Sequence, residues 1–385
     1  MAAIYEIRIK SRAGALQETI TGALGEPDND ENSGYIALAY TRQVNGCGNG
    51  TFLINADSAV VSYLDPNGAT LLDAQVEFWR YDADNDIASY CDFYGFLRDR
   101  EYFTDDNGTT NFVAFLDEQQ DYLRRAIVNY PEGVANRSEF SGVPAETVLK
   151  TLVTYNATSA GTTSDGRDDD VDAWGAYISV VSDGAEGSNV TISCAGRNLL
   201  EVLQEVADQG GMDFGLTKTG AQSWQFWTDT RMGDDHTDDV TFSLTYGNMR
   251  RPRLRSNHRT EKTKIIVAGQ TTGGVRAKQT RTGANYNATY NSFETFVNGS
   301  QYDTSAGLQA LGDQRAEELR ALDELSFGVI QVPSTLYGKH YRLGDTVSAY
   351  YRGFAYTPKI MRVEVDVRAR GTQNPEQVEI VMADD

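Results

Sequence analysis

Between residues 191 and 249, the spacing of the apolar positions changes from helical to alternating. The helical part is carried by four side chains, Leu199, Val202, Leu203 and Val206. Their spacing gives one apolar face and predicts a helix over 198–209. Asn198 with Glu201 three residues later resembles a capping box, and two glycines from Gly210 form a stop signal. A helix of about three turns is unstable alone in water, so this face must pack against another element.

The packing partner follows directly in the chain. Two short apolar runs flank the turn signal Thr219-Gly220 and contain Phe214, Leu216, Trp224, Phe226 and Trp227. Runs of this kind around a turn signal predict a β-hairpin. The helix and the hairpin together indicate a mixed α+β unit, and nothing in this stretch has a catalytic pattern.

On both sides of this unit, apolar and polar residues alternate in short runs that predict strands. The N-terminal runs cover 4–10, 35–43, 51–54, 75–82, 87–103 and 111–118, and the C-terminal runs cover 330–334, 346–351, 359–368 and 377–382. Turn signals at short intervals between strands are typical of a small barrel or sandwich. The pattern therefore predicts a β-rich α+β fold in which two small antiparallel β-barrel-like modules flank, and are split by, mixed α/β segments.

Composition narrows the possible partners. The 385 residues include 34 Lys and Arg against 55 Asp and Glu, a formal net charge of −21. This charge argues against duplex DNA or an anionic membrane as the main partner, because both bind positive surfaces. Three scattered cysteines give no disulfide framework. We find neither an apolar leader nor a run of 18 apolar residues, so we expect neither secretion by that route nor membrane insertion.

Two acidic clusters were weighed as calcium sites. Asp82, Asp84 and Asp86 alternate as in a calcium loop, but Ile87 and Phe93 occupy the positions that need Gly and Glu, so a hairpin turn is favoured. The second cluster contains five carboxylates, Asp165, Asp168, Asp169, Asp170 and Asp172. A solvated loop is the favoured interpretation there, with a cation site as the alternative.

Other candidate chemistry is sparse. The three histidines, His236, His258 and His340, are isolated, and no His or Cys pair has zinc spacing. The sequence has no G-X-S-X-G elbow, no Walker loop and no G-X-G-X-X-G motif after a strand. We therefore predict no catalytic residues, no metal site and no cofactor.

A basic segment stands out in this acidic chain. Seven basic residues fall within 250–264: Arg250, Arg251, Arg253, Arg255, Arg259, Lys262 and Lys264. A solvated linker is one interpretation. The functional alternative is a docking strip for an acidic partner or a sister subunit, where opposite charges fix the register. Nucleic acid ranks third because the overall charge opposes it.

Five phrases in this order resemble the tail hub (baseplate hub) proteins of long-tailed phages, in particular a siphophage tail-protein type. They are IALAYTRQVNGCGNGTFLINADS, EFWRYD with YCDFYGFLRDREYF, DEQQDYLRRAIVNYP, GRNLLEVLQEVADQGGMDFGL, and GKHYRLGDTVSAYYRG with KIMRVEVDV. The resemblance implies four divisions: a barrel hub domain over 1–130, a mixed middle domain over 131–249, a second barrel hub domain from 250–270 and 328–385, and an insertion over 271–327 with a helix over 305–325.

The same resemblance implies a function. Members form a homotrimeric ring whose six barrels match the hexameric tail tube, present threefold symmetry to the tail tip and line the DNA channel. The implied partners are a distal tail or tail tube ring, the tape-measure protein C-terminus, and a central tail fibre or spike. Because the chain ends soon after the second barrel domain, we expect host binding and cell-wall cleavage to belong to other virion proteins.

Two other functions stay open at this stage. A receptor- or glycan-binding tail component would need Trp224, Phe226 and Trp227 to be exposed. A peptidoglycan-cleaving tail enzyme would need a Glu/Asp pair in a cleft. For the hub, we expect several of the arginines at 250, 251, 253, 255 and 259 to face acidic residues across an inter-subunit or hub–tube contact.

Overall fold

A computed structural model of the chain describes residues 3–22, 34–130, 137–272, 275–299, 304–368 and 376–383. By contacts between Cα atoms, the chain divides into two compact units. The main unit comprises Met1–Pro252 and Ser326–Met382, and the small unit comprises Arg253–Leu325 and Ala383–Asp385. The boundary that we predicted between 130 and 131 borders residues 131–136, which lie outside the described residues.

Strands dominate the described residues. They are β1 (Ile4–Lys10), β2 (Leu16–Thr21), β3 (Ala37–Gln43), β4 (Asn49–Asn55), β5 (Gln75–Asp82), β6 (Ile87–Thr104), β7 (Thr110–Glu118), β8 (Glu139–Pro144), β9 (Ile178–Val180), β10 (Asn189–Ser193), β11 (Asp213–Gly220), β12 (Ser223–Asp229), β13 (Thr241–Ser243), β14 (Met249–Asn257), β15 (Lys264–Thr272), β16 (Val275–Thr282), β17 (Glu294–Asn298), β18 (Leu322–Val329), β19 (Ser348–Tyr351), β20 (Phe354–Tyr356), β21 (Lys359–Arg368) and β22 (Glu376–Ala383).

Helices are fewer and mostly short. The α-helices are α1 (Val61–Leu64), α2 (Asp121–Arg124), α3 (Ala145–Ala157), α4 (Leu199–Gly210) and α5 (Ser305–Glu318). Within the described ranges, four 3-10 helices cover Pro66–Gly68, Ala83–Asn85, Thr163–Asp165 and Ala173–Tyr177. The β-rich α+β class predicted from the sequence is confirmed.

Strands from both ends of the chain share one large sheet. Its order is β14, β18, β22, β21, β3, β4, β7, β6, β5, β1, β2. The two ends meet where β21 pairs antiparallel with β3, with Val365 opposite Tyr40. Among the described residues this sheet does not close into a barrel. Alternation of apolar residues identifies a strand, but it does not identify the strand's partner.

The centre of the middle region is the predicted helix and hairpin. Helix α4 begins after Asn198, whose Oδ1 accepts the backbone N–H of Glu201 (3.4 Å), and it ends at Gly211 with a left-handed φ of 63°. Strands β11 and β12 pair as a hairpin in which Leu216 lies opposite Phe226. The helix predicted over 198–209 and the hairpin are both confirmed. Helix α3 packs against α4 and against β12.

Trp224 joins the hairpin to the large sheet. Its side chain is fully buried, and its ring centroid lies 5.0 Å from that of Tyr122, 5.5 Å from that of Phe96 and 6.1 Å from that of Tyr94. Because Phe96 and Tyr94 lie on β6, the indole ring links the middle region to the sheet. Aromatic side chains of this size contribute a large share of a core's buried area.

We expect Trp224→Ala to lower the free energy of unfolding by about 3–5 kcal/mol, because the cavity that it leaves is lined by rings that cannot fully collapse. Trp224→Phe should lose clearly less, since it retains an aromatic ring at the same place. Urea unfolding followed by circular dichroism measures both variants. A loss for Trp224→Ala below about 1 kcal/mol would contradict the role assigned to this ring.

The small unit has a core of its own. Its sheet has the order β16, β15, β17, and α5 packs against β15 and β16. Its buried apolar residues are Ile265, Val267, Leu308, Leu311 and Ala316. Helix α5 begins after Thr304, whose Oγ1 accepts the N–H of Gly307 (3.1 Å).

Two expectations for this region are corrected. The helix predicted over 305–325 ends at Glu318, and Leu322–Val329 is strand β18. Leu325, Phe327 and Val329 are buried at intervals of two, a spacing that the helical interpretation overlooked. Residues 265–269, assigned to the second barrel domain, lie in β15 and pair with β16 and β17.

Candidate functional site

The arginines predicted as a partner interface lie on or next to an edge strand. Strand β14 is the terminal strand in the order of the large sheet. Four of the arginines lie on β14 and the fifth follows it, namely Arg250, Arg251, Arg253, Arg255 and Arg259. All are exposed except Arg250, which is half-buried and donates to Oε1 of Gln377 (2.8 Å). Most of this segment is therefore a strand rather than the solvated linker that was one interpretation of the sequence.

Among the described residues, no carboxylate neutralises the charges of these five arginines. In the part of the chain that the structure describes, none of them forms an ion pair, although exposed Arg281 pairs with Asp313 at 2.5 Å. An edge strand presents unpaired backbone groups, and charged side chains and proline protect such edges from pairing. Pro252 fits that second role. The strip can thus protect the edge, dock a partner, or do both.

Most of the aromatic side chains that the glycan-binding alternative requires on the surface lie in the core. Trp224 and Phe226 are fully buried, and Trp227 is half-buried. The side chain of Trp227 lines a cleft. Its ring lies against Gly215 of the hairpin strand β11. Two of the three rings cannot reach a ligand, so the sequence feature on which that alternative depended does not support it.

The cleft beside the hairpin holds about 510 Å³ and is lined by both charged and apolar side chains. On its wall, Nζ of Lys10 lies 2.6 Å and Nζ of Lys218 lies 3.0 Å from Oε1 of Glu77. Burial lowers the pKa of the Lys218 amine, against the opposing effect of the Glu77 carboxylate. Both ammonium groups therefore form ion pairs with a carboxylate on the same wall of the cleft.

The cleft also contains the kind of carboxylate pair that the enzyme alternative requires. Nη1 of Arg42 lies 3.2 Å from Oδ1 of Asp92, and Nε of Arg42 lies 3.3 Å from Oε1 of Glu118. Asp92 also accepts hydroxyl hydrogen bonds from Tyr40 (2.5 Å) and Tyr337 (3.0 Å). Burial raises the pKa of the Glu118 carboxyl, with Arg42 opposing it. Both carboxylates serve a buried polar network, which gives no positive evidence for cleavage chemistry.

The carboxylates of the two acidic clusters considered as calcium sites each contact different groups of the protein. Asp82 accepts the backbone N–H of Asn85 (3.2 Å) in the turn between β5 and β6. Asp165 pairs with Arg137 at 2.9 Å, whereas Asp170 accepts the N–H of Thr163 (2.6 Å). These carboxylates point to different contacts, and the described residues of either cluster form no group of metal-ligating atoms.

Sequence reasoning missed a buried ion pair with two hydrogen bonds. Arg80 on β5 and Glu376 on β22 form two hydrogen bonds, Nε to Oε1 at 2.7 Å and Nη2 to Oε2 at 3.0 Å. Their side chains are 2% and 4% exposed. The two residues are 296 positions apart, and no local signal marks either of them.

Two histidines described as isolated also lie near carboxylates, His258 near Glu261 and His236 near Asp345.

A sequence model of the family described as Siphovirus ReqiPepy6 Gp37-like protein matches residues 30–381. The chain belongs to this family. No curated protein matches the chain by sequence. None of the described helices is long and apolar enough to cross a membrane.

Three solved structures share the fold of this family member along nearly their whole length. The tail protein from Neisseria meningitidis MC58 has a TM-score of 0.58 at 12% identity, covering 100% of this chain and 97% of that one. The 43 kDa tail protein of prophage MuSo2 from Shewanella oneidensis has 0.58 at 14%, covering 98% and 97%. Prophage tail protein gp18 from Listeria monocytogenes EGD-e has 0.52 at 12%, covering 100% and 95%. The resemblance to phage tail proteins is confirmed.

Proposed function

We propose that this Gp37-like protein is a structural tail-tip or baseplate hub protein. In this proposal it forms a trimeric ring that joins the hexameric tail tube to the threefold tail tip and lines the DNA channel. The observation that carries the proposal is the family match over residues 30–381, together with a fold shared over nearly the full length of phage tail proteins. A structural role also agrees with a cleft whose charged groups form ion pairs with one another.

The proposed surroundings follow from this role. The chain would act as a homotrimer at the tail tip of the virion, after assembly in the host cytoplasm. Its neighbours would be a distal tail or tail tube ring, the tape-measure protein C-terminus, and a central tail fibre or spike. It would act without catalysis, without a membrane insertion of its own, and without specific binding of the DNA that passes through it.

Symmetry-resolved imaging of the intact particle tests the ring. We expect threefold density for three copies at the tail tip, because closed rings are built from heterologous contacts that return to the first subunit. Light scattering of the free protein is a weaker test, since ring closure can require the tail tube. A single copy per particle, or a ring of another symmetry, would overturn the proposed trimer.

The proposed channel also predicts weak affinity for DNA. With a net charge of −21, the chain should show no binding to duplex DNA in the micromolar range at roughly 150 mM salt, because like charges repel and few counterions can be released. Fluorescence anisotropy of a labelled duplex measures this, with a basic DNA-binding protein as the positive control. Micromolar or tighter binding would contradict a channel wall that lets DNA pass.

A further inference from the structure

Two distant loops of the main unit are held side by side. The segment between β12 and β13 lies along the turn that precedes β19, where the N–H of His236 donates to the carbonyl of Thr346 (2.8 Å). In return, the N–H of Thr346 donates to the carbonyl of Asp234 (3.0 Å), and Asp235 forms a parallel bridge with Thr346. These backbone bonds fix the relative positions of side chains more than a hundred residues apart in the sequence.

Two glycines make this close approach possible. Gly233 and Gly344 both have left-handed backbones, with φ of 82° and 92°. A Cβ on Gly233 would lie 2.4 Å from the carbonyl carbon of Gly344 and 2.5 Å from the backbone nitrogen of Asp345. Any other residue at position 233 would push the two loops apart. The sequence is therefore suited to bringing the side chains beside these glycines together.

Three metal-ligating side chains converge where the loops meet. One ligating atom from each of Asp234, His236 and Asp345 lies within 4.8 Å of the other two. Nε2 of His236 is 3.8 Å from Oδ2 of Asp345, which is too long for a hydrogen bond. Asp345 is 5% exposed, so one wall of the cluster is shielded from water.

The converging atoms have little else to bind. Within the residues that the structure describes, neither the Asp234 carboxylate nor the His236 imidazole takes part in a side-chain hydrogen bond. The Asp345 carboxylate is oriented by two backbone N–H groups, from Asp234 to Oδ1 (2.9 Å) and from Arg342 to Oδ2 (2.6 Å). Such outer contacts hold a metal-binding carboxylate in place and leave further lone pairs for an ion.

We propose that Asp234, His236 and Asp345 form a site for one divalent transition-metal ion, with Zn²⁺ as the best fit. Zinc binds imidazole nitrogen and carboxylate oxygen at about 2.0–2.2 Å, so two tetrahedral ligands lie roughly 3.4 Å apart. The 3.8 Å separation of Nε2 and Oδ2 reaches that value with a shift of a few tenths of an ångström. Water completes the coordination. The imidazole ligand disfavours Ca²⁺ and Mg²⁺, which select oxygen ligands.

The ion would cross-link the two loops. It binds the native arrangement, in which the three ligands meet, and not an unfolded chain in which they are far apart. Binding therefore stabilises the contact between the loop after the hairpin and the turn before β19. This role concerns the main unit alone and does not depend on the proposed hub function.

The purified chain, stripped with a chelator, is titrated with Zn²⁺ by calorimetry and with Co²⁺ by visible absorption. We expect one ion per chain and a Co²⁺ spectrum typical of nitrogen and oxygen ligands. His236→Ala removes the imidazole, and Asp234→Asn replaces the carboxylate with a neutral, weaker ligand. Neither side chain is buried, so folding should persist. Each should weaken Zn²⁺ binding by about tenfold or more, since even outer contacts contribute 10–100-fold.

The matched control is His258→Ala. His258 also lies next to a carboxylate, with Nδ1 2.9 Å from Oε2 of Glu261, but it belongs to the small unit, and no third metal-ligating side chain joins it among the described residues. Zn²⁺ should raise the melting temperature of the wild type and of this control, and leave that of His236→Ala unchanged. The proposal is overturned if the wild type binds no Zn²⁺ below millimolar concentration. It is also overturned if His236→Ala binds as the wild type does, or if Ca²⁺ competes equally.

Discussion

Glu376→Ala is expected to lower the free energy of unfolding by about 3–5 kcal/mol, because it leaves the Arg80 guanidinium buried without its counterion. The carboxylate accepts two hydrogen bonds from Arg80 and a third from the hydroxyl of Tyr5 (2.5 Å). With the two charged side chains only 2% and 4% exposed, water cannot replace what is lost. Tyr5 lies on β1, Arg80 on β5 and Glu376 on β22, so the defect affects strands from both ends of the chain.

Urea unfolding followed by tryptophan fluorescence measures this effect. All four tryptophans, at 79, 174, 224 and 227, belong to the main unit, so the signal reports on the unit that contains the pair. The matched control is Glu364→Ala, which breaks an exposed pair with Arg362 whose side chains are 42% and 43% exposed. That control should cost about 1 kcal/mol or less.

A double variant separates the loss of attraction from the burial of an unpaired charge. Arg80→Met with Glu376→Leu removes both charges and keeps similar volumes, so it should recover much of the stability lost in Glu376→Ala. If Glu376→Ala were no more harmful than Glu364→Ala, the pair would be solvated in the folded protein. If the double variant stayed as unstable as the single one, the lost packing rather than the unpaired charge would explain the effect.

Local structure was largely predictable from the sequence because its signals are local. Helix α4 is fixed by an apolar face, by the Asn198 cap and by two glycines, all within fifteen residues. The hairpin after it depends on one turn between two apolar runs. Where two patterns overlapped, the prediction was wrong. The residues from Leu319 to Leu325 fit a helical face, yet Leu325 also starts the alternation with Phe327 and Val329, and all three lie in β18.

Pairing between distant strands was not predictable in the same way. The register of β3 against β21 joins Tyr40 to Val365, and a period of two is satisfied equally well by many other partners. The same limit applies to side-chain clusters. Asp345 follows a Leu-Gly turn that reads only as the start of a strand, and His236 reads as an isolated histidine. Their proximity depends on Gly233 and Gly344, whose close approach becomes visible only in three dimensions.

For the arginines of β14, the sequence identified the residues but not the edge strand on which they lie. A run of positive charge was visible in the sequence, but it was compatible with a linker as well as a strand. Because β14 is an edge strand, its charges have a second possible role, which is to prevent pairing with another strand. Positive and negative charges both prevent such pairing. Docking on an acidic partner, by contrast, requires positive charge.

Reversal of charge therefore separates the two roles. We expect the triple variant Arg251→Glu, Arg253→Glu and Arg255→Glu to fold normally and to fail to assemble into the hub ring or onto the tail tube. All three side chains are exposed and none forms an ion pair within the described residues, so folding loses little. A single reversal should have a small effect, since one exposed pair contributes about 0.2–1 kcal/mol.

The control matches the change in charge. Lys278→Glu, Lys339→Glu and Arg352→Glu also reverse three exposed basic residues, and both triple variants shift the net charge from −21 to −27, because each reversal subtracts two. Assembly is scored by negative-stain imaging of particles complemented with each variant, and folding by circular dichroism. Loss of assembly in the β14 variant alone assigns the strip to a subunit contact. Normal assembly of that variant would leave edge protection as its role, because three glutamates keep the edge charged and unpaired.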